Sequence, residues 1–134
     1  MPQIKITYDY TNTAKPWNVQ PDHQPVPQNN AAEIKWTLEG ANLPSGGSVQ
    51  FDPTQGIVFP ASKNSTPWPG ETPTKKSDTE YKAKDDNTPG QEGTYKYTIN
   101  IIFTNGLGQQ QNLSHDPDID NQGTILHLPT AVAV

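Results

Sequence analysis

Apolar side chains alternate with polar ones at period two in several segments of this 134-residue chain. The longest run consists of Tyr95, Tyr97, Ile99, Ile101 and Phe103, with mainly polar residues between them. Successive side chains of a β-strand point to opposite faces, so this period is typical of strands with one buried and one solvated face. The pattern therefore predicts a fold built mainly from antiparallel β-strands.

Three other segments show the same alternation, and a weaker one predicts a final strand. The clear segments are residues 4–10, 34–38 and 49–59, the last with a turn at 52–56, and the weaker one is 125–128. Together these segments predict about seven short strands, as in a small β-sandwich. We expect one domain over residues 1–134, with a flexible tail after about residue 129.

The segments between the strands are rich in proline and glycine, which number 14 and 10. The prolines in residues 17–30 exclude a helix or a central strand there. Residues 60–93 are predicted to form one long loop. Within this loop, Ser77 and Glu80 have the spacing of a helix-capping box and predict a short helix near residues 78–86. The fold class predicted is all-β, a Greek-key β-sandwich or barrel.

Four stretches of sequence carry a resemblance to a known fold family. They are EIKWTLEG at residues 33–40, SVQFDPTQGIVF at 48–59, GTYKYTINI at 93–101 and DPDIDN at 116–121. In this order, and with a long excursion that contains Trp68, they resemble small bacterial proteins of uncharacterised function with a cupredoxin-like β-sandwich. The resemblance covers residues 4–121 and implies a fold rather than a function.

The copper site for which cupredoxins are known is excluded in this chain. Copper cupredoxins hold the metal with two His, one Cys and usually an axial Met. This chain has no Cys, and its single Met is Met1. The loop that would carry the Cys and the second His corresponds to residues 105–116, which contain only His115. The resemblance therefore implies no cofactor.

The balance of charges argues against two classes of partner. The chain has nine basic residues, all of them lysine, against fourteen acidic ones, which gives a net charge of −5. Nucleic-acid binding normally needs a basic patch, and arginine supplies most bidentate contacts, so we expect no nucleic-acid partner. No apolar run approaches the roughly 18 residues of a membrane helix, so we expect no membrane insertion.

The cellular compartment stays open. No basic region followed by an apolar core precedes the first strand pattern, which argues against a signal peptide. We expect a cytoplasmic protein if the N-terminus is native, and a periplasmic or secreted one if a leader was removed. The absence of cysteine fits either compartment.

Residues 115–121 place aspartates at alternating positions beside a histidine. Their oxygens resemble the start of a calcium loop, but the glycine and glutamate that an EF-hand needs are missing from the expected places. A turn in which these carboxylates cap backbone amides explains the same pattern, and we favour it. A calcium site or an enzyme centre stays open as an alternative, with His115, Asp116, Asp118 and Asp120 as its residues.

Three aromatic residues lie outside the clean strand patterns: Trp17, Trp68 and Tyr81. Aromatic rings displayed among Asn, Gln and Asp side chains are typical of sugar-binding surfaces, although loop aromatics also fold back onto the core. No catalytic residues stand out, so an enzyme is disfavoured. We predict a non-catalytic, metal-free binding or interaction module with a protein or glycan partner; the alternative is a carbohydrate-binding module that uses these three rings.

Edge strands offer one more kind of partner. The outer strands of antiparallel sandwiches expose backbone groups that can pair with another chain. The sequence predicts that the first strand, residues 3–10, or the last, residues 124–128, is such an edge. A homodimer formed by pairing of these edges is therefore a hypothesis.

Overall fold

A computed structural model describes residues 3–26, 32–59, 73–85 and 93–122, and these residues form an all-β structure. The twelve strands are β1 (Gln3–Asp9), β2 (Trp17–Gln20), β3 (His23–Val26), β4 (Ala32–Ala41), β5 (Ser48–Phe51), β6 (Ile57–Val58), β7 (Thr74–Ser77), β8 (Glu80–Asp85), β9 (Gly93–Lys96), β10 (Thr98–Thr104), β11 (Gln110–His115) and β12 (Asp118–Asn121). The all-β prediction is confirmed, although about seven strands was too low a number. Across these ranges there is no helix that is long and apolar enough to cross a membrane.

The larger sheet has five strands in the order β2-β1-β4-β8-β7. β1 pairs antiparallel with β2 and parallel with β4. Ile4 and Ile6 of β1 and Ile34 of β4 are fully buried, which follows the alternation in the sequence. The prediction that the first strand is a free edge is wrong, because both sides of β1 are paired within the sheet.

The opposite side of the sandwich is built around β10. β10 pairs antiparallel with β11 on one side, and with β5 and β6 on the other. A further sheet has three strands in the order β3-β12-β9. The backbone N–H of Tyr97, between β9 and β10, donates to the carbonyl of Pro117, between β11 and β12, at 3.0 Å. One bent hairpin therefore runs through both of these smaller sheets.

The short helix predicted near residues 78–86 is wrong. Residues 80–85 form β8, which pairs with β4 on one side and with β7 on the other. Tyr81, Ala83 and Asp85 are buried, in alternation with Lys82 and Lys84. The capping-box spacing is a local signal, and the pairing of β8 with the buried strand β4 overrides it.

Several predictions fall on residues outside the described ranges. They concern the remainder of the long loop (residues 60–72 and 86–92), Trp68 within it, the final strand at 125–128 and the tail after about residue 129. In the described part of the proline-rich segment 17–30, residues 17–26, the strands are β2 and β3, and both lie at sheet edges. That position agrees with the prediction that this segment holds no central strand.

The core lies between the five-stranded sheet and the strands around β10. Trp36 of β4 meets Tyr97 edge to face, with ring centroids 5.7 Å apart. Phe51 of β5 meets Tyr81 of β8 in the same way, at 4.9 Å. Each pair joins one sheet to the other, so the architecture is that of a β-sandwich.

Candidate ligand cleft

A cleft opens on the side of the sandwich where the chain passes from one sheet to the other. β2 ends the five-stranded sheet, and β3, which follows it after Pro21 and Asp22, belongs to the sheet with β12. β11 forms the neighbouring edge of the β10 sheet. Between these edges lies a cavity of about 440 Å³, lined by residues 14–19, Asp22 and His115. The cleft is therefore at the seam between the two sheets.

Trp17 and His115 form the aromatic wall of this cleft. Their rings are stacked, with centroids 5.3 Å apart and planes inclined by 14°. His115 is opposite Ile99 in the β10–β11 ladder, and Ile99 is fully buried, so the imidazole lies on the inner side of its sheet. Tyr8 contacts the Trp17 ring edge-on, at 5.6 Å. The Trp17–His115 stack thus bridges the edges of the two sheets.

Polar groups surround the stacked rings. The Nε2 atom of His115 is 3.2 Å from Oδ1 of Asp22, within hydrogen-bond distance. The backbone carbonyl of Asp22 accepts a hydrogen bond from the N–H of Asp118 at 3.1 Å, which holds this loop against β12. Lys15 also belongs to the lining, whereas Asn18, as the residue after Trp17 on β2, directs its side chain to the opposite face. The cleft thus offers a carboxylate, an ammonium and an imidazole around an indole ring.

A second histidine lies on the neighbouring pair of strands. His23 of β3 is paired with Asp118 of β12 in a parallel ladder. Its Nδ1 contacts the Asp118 carboxylate, and its Nε2 is 3.5 Å from Oδ2 of Asp120. The hydrogen bond to Asp118 raises the pKa of His23 above its ordinary value, and the charges of both carboxylates act in the same direction.

The four residues of the predicted calcium site contact three different partners. His115 contacts Asp22, Asp116 accepts a hydrogen bond from the Thr98 hydroxyl at 2.8 Å, and Asp118 and Asp120 contact His23. Among the residues that the structure describes, no three His, Cys, Asp or Glu side chains are grouped in a way that could hold a metal ion. Asp118 and Asp120 lie on a strand, where alternate side chains share a face.

The loop predicted at residues 105–116 is also different in the structure. It contains a tight turn, in which the N–H of Asn105 donates to the Gln109 carbonyl at 2.9 Å, followed by β11. β11 shows little apolar alternation because it is an edge strand, and only Leu113 packs against the core cluster from it. His115 is therefore the last residue of a strand rather than part of a loop.

The three predicted aromatic residues have different positions. Trp17 lines the cleft. Tyr81 is 3% exposed, and its hydroxyl donates to the Asp52 carbonyl and accepts from the Gly56 N–H, both at 3.2 Å. Tyr81 is thus a core residue and presents no ring to a ligand. Trp68 lies outside the described residues.

The polar residues that accompany Trp17 were not predicted from the sequence. Asp22 is 93 positions from His115 in the chain, and their contact depends on the pairing of β3 with β12. Lys15 is close to Trp17 in the chain, so its proximity to the ring was visible in the sequence. Nothing in the local pattern marked these residues as the lining of a cavity.

Comparison with known proteins adds no relative from which a function could be transferred. No protein-family model matches the chain, and a search of the curated proteins also finds no match. We therefore infer a function from the geometry of the cleft.

Proposed function

We propose that this chain is a non-catalytic binding module whose ligand site is the cleft at Trp17 and His115. The stacked pair of rings beside a cavity of about 440 Å³ is the observation that carries the proposal. Ligand sites typically combine a concave surface containing aromatic side chains with a few well-placed polar groups. The indole of Trp17 supplies the first, and Asp22 and Lys15 supply the second.

Two features of the cleft favour binding over catalysis. The ring of His115 is stacked on Trp17, and its Nε2 is directed to Asp22. The hydroxyl of the adjacent Ser114 donates to Oδ1 of Asn100 at 2.8 Å, and successive side chains of a strand lie on opposite faces. His115 and Ser114 therefore do not form the hydrogen-bonded pair that nucleophilic catalysis needs.

A carbohydrate is the ligand class that we propose for this cleft. Sugar rings present C–H groups that pack on an indole, and hydroxyls that bond to flat polar groups such as an amide or a carboxylate. Asp22 places a carboxylate in the lining next to Trp17, and Lys15 adds a hydrogen-bond donor. A short loop of a partner protein is the other ligand, and binding of a protein without any glycan response would favour it.

The proposal can be tested by titrating the full chain with a panel of oligosaccharides while the indole N–H signals are followed by NMR. A binding glycan should shift the Trp17 signal, and Trp17→Ala should weaken binding at least tenfold, or about 1.4 kcal/mol. Asp22→Asn changes one polar group without changing its size and should also weaken binding. Trp68→Ala is the matched control and should leave the affinity unchanged. Binding that is lost in Trp68→Ala and kept in Trp17→Ala would place the site elsewhere.

We also propose that the scaffold is a cupredoxin-like Greek-key sandwich without the copper ligands. The order of the sequence stretches at residues 33–40, 48–59, 93–101 and 116–121 supports this family. The two facing sheets are compatible with it. An experimental structure of the full chain tests the proposal, because a connection order other than a Greek key would contradict it.

A further inference from the structure

The outer edge of β11 carries backbone groups that point away from its neighbour β10. Ser114 of β11 lies opposite Asn100 of β10. The N–H of Asn100 donates to the Gly56 carbonyl at 2.9 Å, and its carbonyl accepts from the Asp52 N–H at 3.0 Å, so both groups point away from β11. In an antiparallel ladder, hydrogen-bonded pairs alternate with non-hydrogen-bonded ones. The N–H and C=O groups of Ser114 therefore point outward, as do those of Asn112 and Gln110.

We propose that this edge is the interface of a homodimer in which β11 pairs antiparallel with β11 of a second copy. No other strand in the described ranges pairs with this edge. With six residues, β11 is the longest edge strand that the structure describes. It contains no Lys, Asp, Glu or Pro, the residues with which proteins usually block edge pairing, whereas the edge strand β7 contains Lys75 and Lys76.

The register of this dimer follows from the outward-facing residues. A two-fold axis at Asn112 places this residue opposite its own copy, and places Gln110 opposite the partner's Ser114. All of these residues direct their N–H and C=O groups outward, so every pair is hydrogen-bonded and the ladder closes on itself. A shift by one residue would set outward groups against inward ones, and a shift by two would leave Gln110 or Ser114 without an opposite residue in the partner strand. The axis at Asn112 is therefore the register that pairs all three outward-facing residues.

The side chains of the edge also suit a second copy. Gln110, Asn112 and Ser114 are exposed and uncharged, so the contact adds no repulsion of its own between two chains that each carry −5. A carboxamide is both a donor and an acceptor, which lets Asn112 pair with the same residue across the axis. This self-complementarity favours a second copy over a segment of another protein. The edge adjoins the proposed ligand site, because His115 follows Ser114 on β11, but Gln110, Asn112 and Ser114 are not among the residues that line the cleft.

The oligomeric state of the full chain tests the proposal. Sedimentation velocity up to about 1 mM protein should show a dimer. Asn112→Lys should raise the dissociation constant at least tenfold, because it places two ammonium groups directly opposite each other. Thr13→Lys makes the same change of charge at an exposed site in another part of the chain and should leave the dimer intact. Circular dichroism should show that both variants are folded.

Cross-linking tests the register. The chain has no Cys, so Asn112→Cys introduces a single thiol. Opposite residues of a hydrogen-bonded pair are about 5.5 Å apart between Cα atoms, which suits a disulfide. Asn112→Cys should therefore oxidise to a covalent dimer. Ser114→Cys alone should not, while a mixture of Gln110→Cys and Ser114→Cys chains should cross-link between unlike chains.

Each of the remaining outcomes would overturn the proposal. The first two are a monomer at every concentration and an Asn112→Lys variant that dimerises as well as the unchanged chain. The others are a Thr13→Lys dimer that is weakened as much as the Asn112→Lys dimer, and faster cross-linking of Ser114→Cys than of Asn112→Cys. A monomer that binds an extended peptide along β11 would assign the edge to another protein.

Discussion

The indole Nε1 of Trp36 donates a hydrogen bond to the hydroxyl of Tyr97 at 3.0 Å, in the middle of the core. Both side chains are buried, Trp36 with 0% and Tyr97 with 1% exposure. The bond satisfies a donor that burial would otherwise leave unpaired. Because Trp36 is in β4 and Tyr97 links β9 to β10, it also ties the two sheets together.

Tyr97→Phe should lower the free energy of unfolding by about 1–3 kcal/mol, because it leaves the Trp36 N–H unsatisfied in an apolar core. Denaturant unfolding measures this change. Tyr10→Phe is the matched control, since Tyr10 is 44% exposed and stacks on Phe103 through its ring. Equal losses in the two variants would contradict the role of the buried hydrogen bond.

The chain should lose stability at alkaline pH through Tyr97. Burial raises the pKa of this hydroxyl well above its ordinary value of 10.0, so its neutral form is retained in the folded state. Its contribution is fully present below pH 10 and is lost as the pH rises from there toward the pKa of the folded state. The stability of Tyr97→Phe, measured from pH 8 to pH 11, should fall less steeply than that of the unchanged chain. Parallel curves would show that other groups cause the loss.

Gly56→Ala should destabilise the fold by about 1–3 kcal/mol, as other overpacked cores do. A Cβ atom at this position would lie 2.5 Å from Cε1 of Tyr81, whose ring is fixed in the core. Thermal or denaturant unfolding measures the loss. Gln55→Ala, at the neighbouring exposed position, should change the stability by less than about 0.5 kcal/mol. An unchanged Gly56→Ala variant would mean that the Tyr81 ring moves aside easily.

The ring of His23 should titrate above its ordinary pKa of 6.5 because of Asp118. The group stabilises the fold fully below that ordinary pKa, and this contribution is lost as the pH rises through the pKa of the folded state. In NMR titrations, Asp118→Asn should bring the pKa of His23 down toward 6.5. Asp78→Asn removes a carboxylate that pairs with Lys75 and not with His23, so it should leave the pKa of His23 unchanged. No change in Asp118→Asn would assign the raised pKa to another group.

Calcium should leave the melting temperature unchanged. A ligand that binds only the folded state must raise it, and the carboxylates of Asp118 and Asp120 are already engaged by His23. Thermal melts with calcium and with an equal ionic strength of sodium measure the effect. A rise that is specific to calcium, and that disappears in Asp118→Asn, would restore the calcium site as a function of this segment.

Period-two alternation located the central strands because their buried face is apolar along its whole length. Ile4 and Ile6 of β1, and Ile34, Trp36 and Leu38 of β4, are buried as the pattern predicts. β8 shows the same period in Tyr81 and Ala83, but a nearby local helix signal competed with it. β11 has one partly buried apolar residue in six positions, so an edge strand of this kind leaves almost no periodic signal.

The cleft was predictable only in part. An aromatic ring outside the strand patterns marked Trp17, and the run of aspartates drew attention to His115. The stacking of these two residues depends on how β2 and β11 end their sheets, which is a property of the topology. For Tyr81, the same aromatic signal led to a core residue, because a ring at a strand position and a ring in a loop look alike in a sequence.

The parallel pairing of β1 with β4 has a consequence for the order in which the chain assembles. Parallel neighbours cannot be joined by a tight hairpin, and here the chain between them visits both sheets through β2 and β3. Early in folding, β2 is the only partner of β1 that is near in sequence. The other edge of β1 can pair with β4 only after the long segment between them has closed a loop. The folding rate should therefore be limited by contacts between residues far apart in sequence rather than by local propensities. This places the protein among the slower small domains.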